Sequence, residues 1–197
     1  MKKIGILGGT FNPPHIGHLI VANEVKQSLG LDEVRLMPTA VPPHKTAPGD
    51  ATAEQRLQMV ELAVMAIDGL TVSAFEVGRG GVSYTFDTMR QLTQIEPEIE
   101  FYFIIGGDMI DLLPKWHRIE ELVTLVNFVG VGRPGTNGTT YYPIIMVDIP
   151  QIELSSTLIR QRFSENGAVQ LLIPPAVEAF IREEGLYGSC TVENRNR

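Results

Sequence analysis

The chain of 197 residues has one cysteine, Cys190, and one tryptophan, Trp116. A single thiol cannot close an intrachain disulfide, so a reducing compartment fits best and the cytoplasm is the expected location. Positive charge is also scarce. There are 16 Lys and Arg against 23 Asp and Glu, a formal net charge of −7, which argues against a broad basic surface for nucleic acid or anionic membrane. Any anionic ligand must therefore meet a local cluster of donors. No apolar run reaches transmembrane length. The opening MKKIGILGGTFNPP resembles a signal peptide briefly, but its apolar stretch is short and runs into glycine, asparagine and proline. No GxxxxGK[ST] or HExxH pattern occurs, which disfavours a P-loop phosphotransferase and a zinc protease.

With 44% hydrophobic residues, the chain can bury one sizeable core, and its length suits one domain. Residues 3–7 (KIGIL) read as a strand buried on both faces. Ile16, Leu19, Ile20, Val25 and Leu29 follow at helical spacing, and Gly30 is placed to stop that helix. Residues 33–37 predict a second strand, 54–67 a helix with a stripe of Leu57, Val60, Val64 and Ile67, and TVSAF (71–75) a third strand. Further on, a helix is expected over Tyr84–Ile95, strands from Glu100, Leu125 and Ile144, and helices from near Ser156 and Pro175. This alternation predicts an α/β fold with a parallel sheet covered by helices on both faces, whose ligands lie at the carboxyl ends of the strands. One domain over residues 1–187 is expected, followed by a mobile polar tail, 188–197. The least regular stretches, 38–53 and 132–143, are candidate loops beside a site.

Residues 8–18 read GGTFNPPHIGH and span the predicted turn from first strand to first helix. Glycines there let backbone N–H groups approach a phosphate, and a helix N-terminus favours negative charge. His15 and His18, three residues apart, share one helix face. A tight turn followed by packed histidines is the bland alternative. Downstream, SSTLIR (155–160) places hydroxyls at a helix start and Arg160 one turn later, a set able to converge on phosphate oxygens. GGD (106–108) ends a strong strand with a close turn and a carboxylate suited to a ribose diol.

Together with PPHK (42–45), SYTFDTM (83–89), FIIGGDM (103–109) and PKW (114–116), these runs are similar to the signature of the HIGH-containing nucleotidyltransferase superfamily. Within it, the ordered set resembles bacterial nicotinate mononucleotide adenylyltransferases. The resemblance implies a single-domain Rossmann-like fold that transfers the adenylyl group of ATP to nicotinate mononucleotide, giving deamido-NAD and pyrophosphate. It implies catalytic roles for His15, His18, Lys45 and Arg160. For ATP it implies Gly8, Gly9, Thr10, Phe11, His18, Gly106, Asp108, Arg133, Ser155, Ser156, Thr157 and Arg160. For nicotinate mononucleotide it implies Asn12, Lys45, Thr85, Trp116 and His117, with Trp116 as a stacking wall and Thr85 beside the pyridine carboxylate.

The nucleophile would be the mononucleotide's own phosphate, so no protein nucleophile is needed and catalysis becomes positioning plus charge neutralisation. His18 would donate to the α-phosphate, His15 and Lys45 would neutralise phosphates, and Arg160 would hold the departing pyrophosphate. Mg²⁺ is expected to arrive with ATP, with no protein metal site. The expected partners are the two nucleotides, with no nucleic acid and no membrane; a homo-oligomer such as a dimer is left open. Asn12 stands where Asp is frequent, and His117 where tyrosine is expected, which affects the pyridine pocket. Rivals are a phosphopantetheine-type relative and a non-catalytic nucleotide-binding module. GVGRPG (130–135) matches GxGxxG, but Pro134 and the TNGTT that follows do not open a helix, so a dinucleotide oxidoreductase is disfavoured.

Overall fold

The computed structural model of the chain describes residues 1–41, 51–132, 140–150 and 152–189. Among them, six parallel strands form one sheet: β1 (Lys2–Gly9), β2 (Glu33–Pro38), β3 (Leu70–Val72), β4 (Ile99–Gly106), β5 (Asn127–Gly132) and β6 (Ile144–Asp148), in the order β3-β2-β1-β4-β5-β6. The chain starts in the middle, winds outward to β3, and returns beside β1 to wind the other way. The crevice at the carboxyl ends of β1 and β4 is thus the topological switch point, where ligands of such sheets bind.

The helices are α1 (Ile16–Leu29), α2 (Ala53–Val64), α3 (Phe75–Arg79), α4 (Thr85–Ile95), α5 (Gly107–Ile110), α6 (Ile119–Leu125), α7 (Ser156–Ser164) and α8 (Pro175–Glu183). Strand β4 illustrates how the sheet divides the core. Tyr102 and Ile104 pack into a cluster with α1, α2, α7 and α8, while Phe101, Phe103 and Ile105 pack with α4 and α6 on the other face. Alternation with a period of two, apolar on both sides, is what a doubly covered parallel strand requires.

Several expectations need correction. Helix α2 ends at Val64, and its buried stripe is Arg56, Met59, Val60, Ala63 and Val64, with Leu57 and Ile67 only half-buried. The third strand stops at Val72; Phe75 already opens α3. Leu125 closes α6, a helix the sequence reading did not separate from β5. Gly130 and Gly132 of the GxGxxG match lie inside β5, in keeping with the rejection of that match as a dinucleotide turn. A Cβ at Gly130 would come within 2.7 Å of Met146 Sδ and 2.9 Å of Ile110 Cδ1, so this glycine serves sheet packing. Gly30 does end α1, in the left-handed region at φ 59°. At the chain's end, Ser189 is still packed, its hydroxyl donating to the Ile181 carbonyl at 3.0 Å; the rest of the expected tail, residues 190–197, lies outside the described residues.

At the amino ends of the strands, opposite the crevice, a polar cluster ties three strands together. Lys2 Nζ and Thr71 Oγ1 donate to Glu33 at 2.8 and 2.6 Å, Arg35 Nε donates to Glu33 at 3.0 Å, and the Arg35 guanidinium spans both oxygens of Glu96 at 2.7 and 3.0 Å. Burial of Glu33 opposes its charge, but hydrogen bonds from Lys2, Thr71 and Arg35 outweigh it and bring the carboxyl to about 2.

Candidate active site

The turn after β1 reaches the switch point. Its left-handed residue is Phe11, at φ 50°, rather than either glycine. A non-glycine residue held there costs on the order of 1 kcal/mol, and burial of the ring offsets it: Phe11 is 2% exposed. The ring lies over Gly9, where a Cβ would sit 3.0 Å from it, and meets His18 edge-on at 4.9 Å between centroids. Gly9 is therefore needed for a close approach rather than for an unusual φ.

His15 is the N-cap of α1, and His18 lies one turn in. Their rings stack with centroids 3.7 Å apart at 25°. The His15 backbone N–H donates to His18 Nδ1 at 3.1 Å, and the His18 N–H donates back to the His15 carbonyl at 2.9 Å. Because Nδ1 accepts, a neutral His18 carries its proton on Nε2, ready to donate outward. Burial lowers the pKa of His15 from 6.5 to about 4. Burial first, then the neighbouring His15, lowers that of His18 to about 3. In the absence of ligand, burial favours the neutral form of both imidazoles. Gly17 lies close under the pair: a Cβ there would stand 3.0 Å from His15 Nδ1, so a larger residue would require the His15 ring to give by a few tenths of an ångström.

The start of α7 is tied to the same turn. Ser155 caps the helix by accepting from the Leu158 N–H at 3.2 Å, the Ser156 hydroxyl donates to the Pro13 carbonyl at 2.8 Å, and Arg160 Nη1 donates to the Asn12 carbonyl at 2.8 Å. Arg160 Nη2 reaches Thr157 Oγ1 at 3.4 Å. Two helix N-termini thus converge on one loop, a favourable surround for phosphate. Arg160 is engaged within the loop rather than extended from it. Asn12 Oδ1 accepts from the Tyr187 hydroxyl at 2.6 Å, so this side chain is occupied in fixing the turn.

On the other side of the switch point, Gly106 ends β4 and Asp108 folds back beside it; a Cβ at Gly106 would meet Asp108 Oδ1 at 2.6 Å. Thr85, Trp116 and His117 come together, with Ser83, Tyr84 and Lys115, around a pocket of about 230 Å³. Trp116 packs edge-on against Phe103 and Phe128, each 6.0 Å away, and His117 lies 4.8 Å from Tyr84. Phe103 also lies 3.4 Å from where a Cβ of Gly8 would stand, so one aromatic ring connects the phosphate turn to the tryptophan. Thr85 opens α4, and the Tyr84 N-cap makes no side-chain capping bond. The N–H groups of that first turn are thus left to other acceptors. Lys45 and Arg133 lie outside the described residues.

Against this geometry, a family model for cytidylyltransferase-like proteins matches residues 6–162. A curated relative from Geobacillus thermodenitrificans, described as a probable nicotinate-nucleotide adenylyltransferase, is 51% identical over 191 residues, 97% of this chain and 88% of its own. The chain belongs to the nicotinate-nucleotide adenylyltransferase family. A Bacillus anthracis member described in the same words is 50% identical over 189 residues, 96% of this chain and 100% of its own. The solved Plasmodium falciparum nicotinic acid mononucleotide adenylyltransferase complexed with NaAD superposes with a TM-score of 0.79 at 19% identity, covering 96% of this chain and 99% of its own. At that identity the likeness is one of fold.

Three residues that border the adenylyltransferase site were not singled out from sequence. Lys115 lines the tryptophan pocket, and its place inside PKW was the available signal. Tyr187 fixes Asn12 across 175 positions, and nothing local marks it. Arg56, 1% exposed, donates to the carbonyls of Thr10, Thr39 and Ala40 at 2.8, 2.7 and 3.0 Å. It shares the helical phase of Val60 and Ala63, so a charge on an apolar stripe was its signal.

Proposed function

We infer that the enzyme transfers the adenylyl group of ATP to nicotinate mononucleotide, forming deamido-NAD and releasing pyrophosphate. The observation that carries this reading is the pairing of an imidazole-bearing helix start on the β1 turn with an aromatic pocket across the switch point. The first suits a phosphate chain and the second a flat ring, and the Gly8–Phe103–Trp116 succession joins them. The family relationship supplies the two substrates.

In this reading a phosphate oxygen of the mononucleotide attacks the α-phosphorus of ATP, and the bond to the bridging oxygen breaks as pyrophosphate leaves. His18 donates from Nε2 to the α-phosphate, where negative charge builds up. With both imidazoles neutral at the outset, cationic neutralisation falls to Lys45, Arg160 and Arg133, and an arriving triphosphate favours protonation of His15 only after it binds. Mg²⁺, carried in on phosphate oxygens and water, supplies the remaining positive charge. Asp108 holds the ribose, Trp116 stacks on the pyridine ring, and Thr85 with the uncapped N–H groups of α4 meets its carboxylate. Lys115 adds a positive charge at that pocket. The cytoplasm is the compartment we propose for this chemistry; among the described residues no helix is long and apolar enough to cross a membrane.

Pyrophosphate release, measured with ATP–Mg²⁺ against nicotinate mononucleotide, nicotinamide mononucleotide and phosphopantetheine, tests the reading. Turnover is expected with nicotinate mononucleotide foremost. Release with phosphopantetheine and none with either pyridine nucleotide would overturn it.

A further inference from the structure

A phosphate chain is attracted by N–H groups and repelled by carbonyl oxygens, so an anion-binding loop is favoured when its carbonyls are turned away and bonded. In the β1–α1 turn four of them meet specific donors. Gly9 O accepts from the Thr39 N–H at 3.0 Å, Asn12 O from Arg160 at 2.8 Å, and Pro13 O from Ser156 at 2.8 Å. The remaining interior donor is Arg56, which reaches Thr10 O at 2.8 Å from within the core. In a planar trans peptide the carbonyl and the following N–H point in opposite directions. Thr10 O turned toward Arg56 therefore aims the Phe11 N–H away from Arg56. Phe11 is the residue with positive φ, and its ring touches His18.

We propose that Arg56 is a positioning residue for adenylyl transfer: by holding the Thr10 carbonyl inward it presents the Phe11 N–H to the nucleotide's phosphates beside His18. The same guanidinium holds the carbonyls of Thr39 and Ala40, so it fixes the β1 turn against the chain that leaves β2. A buried cation bound to main-chain carbonyls on two separate loops is hard to replace. Lysine keeps the charge but lacks the planar fork, so it holds fewer of the three carbonyls. This proposal rests on the reading of the β1 turn as the triphosphate site.

The test compares wild type, Arg56→Lys and Arg56→Met, with kcat and KM for ATP expressed per folded molecule after thermal melting has fixed the folded fraction. Misplacement of a donor by about an ångström is worth roughly 10²-fold in rate, so Arg56→Met is expected to lose kcat on that scale and Arg56→Lys to recover part of it. A purely structural role would lower the melting temperature and leave kcat per folded molecule unchanged, which would overturn the proposal. A second measurement holds even if Arg56→Met fails to fold. In ¹⁵N-labelled wild type, the Phe11 amide proton is expected to move downfield on titration with tripolyphosphate or ATP. Saturation without movement of that amide would overturn the proposal while turnover of nicotinate mononucleotide continued. Absence of turnover in wild type would instead overturn the adenylyltransferase reading.

Discussion

His15 presents its backbone N–H to Nδ1 of His18, and the two rings lie face to face 3.7 Å apart. The backbone bond fixes the tautomer of the second histidine, and the stack fixes its direction. His18→Ala is therefore expected to leave the fold and ATP affinity largely intact while turnover falls roughly 10²-fold, the scale of losing one preorganised donor. Saturating kinetics check this; turnover within a few-fold of wild type would remove His18 from the reaction.

The same burial has a consequence for acid stability. Unfolded, the two histidines titrate near 6.5; folded, they stay neutral down to about 4 and about 3. Between those limits the unfolded chain binds more protons, so stability falls as pH is lowered through that window and the contribution is complete only above about 6.5. Urea unfolding at pH 7.5 and 5 should show a larger loss for wild type than for His15→Gln/His18→Gln. Equal losses would mean that the histidines are not held neutral.

Gly17→Ala separates helix propensity from site geometry. Alanine in a helix is favoured over glycine by about 1 kcal/mol, so an unencumbered site would gain stability. Here the new methyl would stand 3.0 Å from the His15 ring, which must give by a few tenths of an ångström within its stack. Turnover is expected to drop at least roughly tenfold, equivalent to about 1.4 kcal/mol of barrier, without a matching drop in melting temperature. Full activity in this variant would show that the ring can shift at no cost.

Acid should be preferred to amide at the pyridine pocket. A carboxylate offers acceptors only, whereas an amide turns one of them into a donor facing the first-turn N–H groups of α4, which can only donate. At least roughly tenfold in kcat/KM is expected between nicotinate and nicotinamide mononucleotides, or about 1.4 kcal/mol. Thr85→Val should narrow that ratio, and Trp116→Ala should weaken both substrates by removing the stacking wall. Equal efficiencies in wild type would refute the specificity claim alone.

The elements legible in the sequence are those whose cause is local. The opening strand, the turn and α1 with its Gly30 stop follow from an apolar run, a cluster of glycine and proline, and a 3.6-residue period. The family resemblance, rather than the residues themselves, grouped Thr85 with Trp116, which the fold brings to one pocket from segments some thirty positions apart. What escaped depends on distant partners. The phase of α2 was misread because a buried arginine looks like a solvated charge until the carbonyls of Thr10, Thr39 and Ala40 are in place. Tyr187 could not be paired with Asn12 without the whole sheet between them. Helix α6 was missed because its last apolar residues, Leu122, Val123 and Leu125, lead through Val126 into the apolar run of β5 with only Asn127 between.

The cluster of Lys2, Glu33, Arg35, Thr71 and Glu96 occupies the amino ends of the strands, while the described groups proposed to touch nucleotide gather at the carboxyl ends. The sheet therefore keeps cohesion and chemistry at opposite poles. A layer of packed strands separates the two, so substitution of Glu33 or Glu96 is expected to change thermal stability with little effect on how ATP is held.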